Sequence, residues 1–142
     1  MTERNGSSKG TLVALAAAVV VAGGAIAWQR LASDANALDH VVEISMPPLS
    51  GAAATGQALF SENCSSCHGE NAVGGAGGPP LVHNIYEPNH HGDVAFHRAV
   101  QIGVMPHHWK FGAMPPVPHV RPDEVESIIA FVRTLQRANG IY

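Results

Sequence analysis

An all-α domain with long loops is the fold class that the sequence predicts, and three observations carry it. Three segments place apolar residues at helical spacing between start and stop signals. No segment alternates apolar and polar residues as a half-buried strand would. The connecting stretches are rich in structure-breaking residues, with 15 Gly and 10 Pro among 142 residues. That length holds one compact domain plus extras. Hydrophobic residues make up 46% and charged residues 13%, about half the usual charged share, which argues against a disordered chain. With 8 Lys and Arg against 11 Asp and Glu, no basic footprint exists for nucleic acid. Two cysteines cannot make a multi-bridge scaffold. Nine histidines are many for this length, and they point to metal or cofactor chemistry.

In chain order, the first element is an uncharged run from Gly10 to Gln29. Its heart, Leu12 to Trp28, is 17 residues of mostly Ala and Val. As a helix it would span about 25 Å, slightly short of a ~30 Å hydrocarbon core. Arg4 and Lys9 precede it and Trp28 closes it, as suits a span with a cytoplasmic amino end. Residues 1–28 therefore read as an N-terminal hydrophobic helix, either an uncleaved anchor or a signal peptide. A run longer than the usual ~7–15-residue signal core favours the anchor. The small-x-small triplets Ala25-Ile26-Ala27 and Ala35-Asn36-Ala37 keep cleavage open. Either way the remainder is exported. Residues 29–49, with scattered acids and Pro47-Pro48 at their end, read as a linker to a folded domain over 50–142.

Within that domain the first helix is expected over 51–63, with Ser50 as N-cap and Gly56, Leu59 and Phe60 sharing a face. A second is expected over 93–103, capped by Asp93, with Phe96, Ala99 and Val100 on one side and Gly103 closing it. The third starts at Pro122. Asp123 and Glu124 favour the positive end of its dipole, and Arg133 and Arg137 lie near the other end. Val125, Ile128, Ile129, Val132 and Leu135 keep the 3.6 period until Gly140. A loop rich in Gly and Pro, Gly74 to Pro80, lies between the first two helices.

The chemistry resides in Cys64-Ser65-Ser66-Cys67-His68. This spacing is the signature of c-type haem attachment: two thiols add across the porphyrin vinyl groups and the adjacent His ligates the iron. A thioredoxin-like pair would follow a strand, and none is predicted. A structural zinc site would want a second, regularly spaced ligand pair, which His83, His90 and His91 do not offer. A plain disulfide would not require a His after the second Cys. Haem leads; zinc and disulfide remain as alternatives.

At these residues the chain resembles the class I c-type cytochromes of the small bacterial kind, over about 50–142. The resemblance rests on Gly56, Leu59 and Phe60 ahead of Cys64-Ser65-Ser66-Cys67-His68-Gly69, on Gly78-Pro79-Pro80-Leu81, on Gly112-Ala113-Met114-Pro115-Pro116, and on the helix Val125 to Leu135. It implies a cytochrome c-like fold wrapped around one covalent haem c with its iron. Cys64 and Cys67 would form the thioethers and His68 would be the proximal ligand. The Pro79 carbonyl would orient the His68 ring, and Gly56 would meet Phe131 where the first and last helices cross. The family's distal Met falls at Met114, with Met105 the runner-up and Met46 assigned to the linker. Arg121 stands where the family often caps its last helix with Ser or Thr, which leaves the start of that helix open. Trp109 belongs to the haem environment as a donor to a propionate, or simply as a packed aromatic. The pairs His90-His91 and His107-His108 suit solvation or propionates, with a second metal site or a pH-sensitive docking face as the functional readings.

Two axial protein ligands leave no place for substrate, so the resemblance implies electron transfer rather than enzymatic catalysis. The alternatives are a haem enzyme or sensor with a labile distal Met, and a haem-bearing subunit of a membrane oxidoreductase complex. Partners would be membrane or periplasmic donors and acceptors: a quinol–cytochrome c oxidoreductase, a terminal oxidase or a dehydrogenase. The location would be the periplasmic side of the bacterial inner membrane, anchored by one span, or the soluble periplasm after cleavage. From residue 38 onward, five Lys and Arg against nine Asp and Glu leave a net charge of −4. No lysine ring is available to steer docking onto an acidic partner.

Overall fold

Helix-forming runs separated by Gly and Pro give the expected helices in the computed structural model, which describes residues 14–15, 19–31 and 40–142. The chain divides into two units, 1–37 and 38–142. In the first, residues 19–31 are helical, with Val19, Val20, Val21, Ile26, Trp28 and Leu31 exposed. Residues 14–15 are helical too; the other residues of the expected hydrophobic helix, and Ala35-Asn36-Ala37, lie outside the described residues. Among the described residues no helix is long and apolar enough to cross a membrane.

The second unit holds α1 (Gly51–Asn63), the single turn α2 (Ser65–His68), α3 (Asp93–Ile102) and α4 (Pro122–Ala138), with 3-10 turns at Glu70–Ala72 and Asn84–Tyr86. Among the described residues there is no strand, only two isolated β-bridges, Gly75 to Gly78 and Val104 to Met114. The core is built from α4, whose Val125, Ile128, Ile129, Phe131, Val132 and Leu135 meet Phe60, Ala72, Val82, Val120 and Ile141. Gly56 makes this packing possible, because a Cβ there would collide with the Ser127 carbonyl of α4. At this helix crossing the small residue thus meets backbone, and Phe131 packs against Phe60, one turn on from Gly56, with ring centroids 5.5 Å apart.

Helix ends also differ in detail. Ser50 occupies the N-cap of α1 but its hydroxyl makes no capping bond. Gly92, not Asp93, caps α3, and Asp93 turns its carboxylate to Arg133. At α4 the missing Ser or Thr is replaced from within the helix. Glu124 Oε2 accepts the Arg121 backbone N–H at 2.8 Å, and the Arg121 guanidinium binds both Asp123 and Glu124. A guanidinium has no acceptor, so only this half of a capping box exists.

Residues 40–49, assigned to the linker on composition, lie along the domain as an extended strap. The Val42 N–H donates to the Val73 carbonyl at 2.9 Å, and Val42, Ile44 and Leu49 pack against the core. Asn139 closes the strap at its far side, accepting from the Ser45 N–H at 2.7 Å and donating to the Ser45 carbonyl at 3.0 Å. Alternate apolar residues spaced two apart supply the buried edge that a free linker would lack.

Candidate functional site

Cys64 ends α1 and opens α2. Its carbonyl accepts the N–H groups of Cys67 and His68, at 3.2 and 2.9 Å, so the whole Cys-x-x-Cys-His stretch is wound into one turn. Neither cysteine is in a disulfide; Cys64 is half-buried and Cys67 exposed. Burial, and then the neighbouring Cys67, push the Cys64 thiol up to about 11. Beside them the Gly-rich loop comes in close. A Cβ at Gly77 would stand 3.3 Å from Cys67 Sγ, and one at Gly78 would crowd the Cys67 carbonyl. The loop leaves one thiol open on a surface where backbone, not side chains, is the neighbour.

The His68 ring donates through Nδ1 to the Pro79 carbonyl at 2.9 Å. This bond fixes the tautomer and leaves the Nε2 lone pair free, the arrangement that orients metal-ligating imidazoles. Burial pulls the His68 pKa below its ordinary value, outweighing the opposite effect of the Pro79 bond. The ring is therefore neutral at neutral pH, ready to ligate.

Met114 is half-buried and its backbone is clamped. Its N–H donates to the Val104 carbonyl at 2.9 Å and its carbonyl accepts from Val104 at 3.0 Å. Gly103, at φ +76°, permits this approach, since a Cβ there would strike the Met114 carbonyl. Met105 stands one residue beyond the bridge and is 76% exposed. Of the two candidates, Met114 is the more buried.

The bridge closes an excursion, residues 105–113, that carries Trp109. Its ring packs at 5.2 Å from His83, 6.2 Å from His40 and 6.4 Å from Phe111. The indole N–H is buried and has no hydrogen-bond partner. It reaches the Tyr86 phenol electrostatically, lowering its pKa against the larger rise that burial imposes, but no bond of proper geometry forms. Buried donors left unpaired cost about 1–3 kcal/mol, so an orphan here marks where a further acceptor belongs. A cavity of about 200 Å³ lined by His97, Val100, Gln101, Pro118, Val120, Pro122 and Val125 contains none of these groups.

Two thiols wound into one turn, an imidazole with a free Nε2, a half-buried thioether and an orphaned N–H fit a covalently attached haem. Sequence reasoning overlooked the group that fixes this region. Arg133 is buried at 5% exposure and donates to Asp93 (2.9 Å), the Tyr86 carbonyl (2.8 Å), Gln136 (2.6 Å) and the His91 carbonyl (2.5 Å), with Phe96 stacked on it at 5.1 Å. Gln136 extends the network to the Leu81 and Tyr86 carbonyls. An Arg on the apolar stripe of α4 was the available signal.

Fold and site together define a c-type cytochrome domain. The cytochrome c family profile matches residues 53–136, more than half of the chain. The chain belongs to the cytochrome c family, and membership implies a covalently bound haem c with its iron. Its curated relatives include the cbb3-type cytochrome c oxidase subunit CcoP of Rhodobacter capsulatus, 35% identical over 105 residues, covering 69% of this chain and 34% of that subunit. A second Rhodobacter capsulatus CcoP is 33% identical over 107 residues, covering 70% and 35%. The chain thus spans about a third of the length of the curated relatives it matches. No solved structure matches it.

Proposed function

We propose that this domain carries one electron at a time on the exported side of a bacterial inner membrane, in association with a terminal oxidase. The observation that carries the reading is the His68 ring, locked by the Pro79 carbonyl one residue after the cysteine pair. Cys64 and Cys67 hold the haem through thioethers, His68 is the proximal ligand and Met114 the distal one. The haem, when bound, supplies a one-electron iron couple. His68 and Met114 would both hold the iron, which would leave no ligand to be exchanged when it changes oxidation state. The Met114 thioether is a soft neutral ligand that favours ferrous iron and raises the potential.

The kinship with CcoP supports an oxidase as the partner. The net charge of −4 beyond residue 37 removes lysine steering, so encounter must rest on a basic partner, apolar contact or tethering. The uncharged run of residues 10–29, with Arg4 and Lys9 before it, supports an uncleaved anchor; a soluble periplasmic form after cleavage is the alternative. Holding the domain at the membrane raises its effective concentration at a membrane oxidase.

Replacing Met114 with Ala tests the site. The ferric protein should lose the far-red thioether-to-iron band and the ferrous protein should gain rapid carbon monoxide binding. Met105→Ala should change neither. A band that survives Met114→Ala and vanishes in Met105→Ala would transfer the ligand role to Met105.

A further inference from the structure

Four histidines are absorbed neither by the haem site nor by the core, and the fold brings them together from two loops. His90 and His91 end the turn after Tyr86, while His107 and His108 sit in the excursion closed by the Val104–Met114 bridge. The His90 and His108 Nε2 atoms are 3.2 Å apart. Ligand atoms of His90, His91 and His108 all lie within 4.8 Å of one another. The His107 ring adjoins, 4.4 Å from His108 and 5.8 Å from His91 by ring centroids.

From this juxtaposition we infer that His90, His91 and His108 form a second metal site, for a borderline divalent ion such as Zn²⁺ or Cu²⁺, distinct from the haem iron. Three chemical features support it. Zinc–nitrogen bonds of ~2.0–2.1 Å at tetrahedral angles put ligand nitrogens about 3.3 Å apart, close to the His90–His108 separation. His91 is already oriented as metal-binding histidines are: Nδ1 donates to the Ile85 carbonyl at 2.7 Å and leaves Nε2 free. Its backbone carbonyl is held by buried Arg133, so the ring stands on a rigid part of the fold. His107 has the same tautomer, its Nδ1 donating to the Met105 carbonyl at 2.9 Å, which makes it the nearest candidate for a fourth ligand. Three imidazoles without a carboxylate or thiolate suit zinc, copper or nickel and not calcium or magnesium. His90 and His108 are exposed, so an ion can enter from solvent.

An ion held there would tie the turn before α3 to the excursion that bears Trp109 and ends at Met114. The site does not depend on the axial assignment, and its test reads metal directly. Equilibrium dialysis of the untagged haem-loaded protein against micromolar Zn²⁺ should give one ion per chain. Copper titration followed by electron paramagnetic resonance should show a type of Cu²⁺ centre with several nitrogen ligands. His90→Ala and His108→Ala should each weaken zinc binding roughly tenfold or more, with the haem spectrum unchanged as the check on folding. His119→Ala, whose ring serves Asn63, should bind as the parent does. Zinc uptake that is absent in the parent, or equal in the His90→Ala/His108→Ala double variant, would overturn the site.

Discussion

Trp109 shows at the level of one residue how a fold can announce a ligand. A buried indole N–H is paired in most proteins, because leaving it unpaired costs free energy that packing must offset. Here the surrounding rings of His40, His83 and Phe111 bury the indole without offering an acceptor. A haem propionate would supply one. Trp109→Phe keeps a smaller aromatic ring and removes the donor, so a propionate charge there would be less offset and ferric iron favoured. The reduction potential should fall by roughly 30 mV, a threefold change in a one-electron equilibrium at 59 mV per decade. A redox titration showing no shift would mean that the N–H serves another group. The nine histidines make a similar point in the opposite sense. Their number was legible as a pointer to metal, but their separate tasks were not. His97 pairs with Glu126, His83 receives the Ile85 N–H, and His40 donates to the Gly75 carbonyl. The tasks of His97 and His40 depend on partners 29 and 35 positions away in the chain, which no local pattern contains.

Among the elements, α4 carries the core on one face and a buried cation within it. Arg133 makes four hydrogen bonds, to Tyr86 and His91 ahead of α3, to Asp93 of α3 and to Gln136 of its own helix, and its guanidinium is desolvated. Arg133→Met keeps the volume but leaves the His91 carbonyl without its donor and Asp93 without its cation. The cost should be about 3 kcal/mol, read as a lowered denaturant midpoint at unchanged slope. A change below about 0.5 kcal/mol would show that solvent replaces these bonds freely. The existence and span of the three main helices were legible, because periodicity, Pro122 and the Gly stops all act within a few residues. The single turn α2 was not separately legible, since four residues carry no period. Nor was the strap over 40–49, where Pro47-Pro48 and scattered acids speak for a linker and the burial of Val42, Ile44 and Leu49 decides otherwise. The Cys-x-x-Cys-His stretch was the most legible part of the site, because its chemistry is written in five consecutive residues. The neighbourhood of Met114 was legible by resemblance, while its clamp by Val104 and Gly103 needed three dimensions.

For the molecule as a whole, the haem addresses a size problem. A domain of about a hundred residues with a modest apolar core is helped by a covalent staple, and the only two cysteines are placed to make it. The structure adds a second fastening at the opposite ends of the domain. Ser45 and Asn139 are joined by two hydrogen bonds although 94 residues separate them. The strap and the end of α4 therefore lie side by side, which brings the two ends of the domain together. Chains of this kind tolerate being cut elsewhere and rejoined. A circular permutant that links Tyr142 to His40 through a short flexible spacer and opens at exposed Pro118 should still attach haem and keep the parent spectrum. If it failed to acquire haem, order of synthesis, and not the finished contacts, would be what the strap serves.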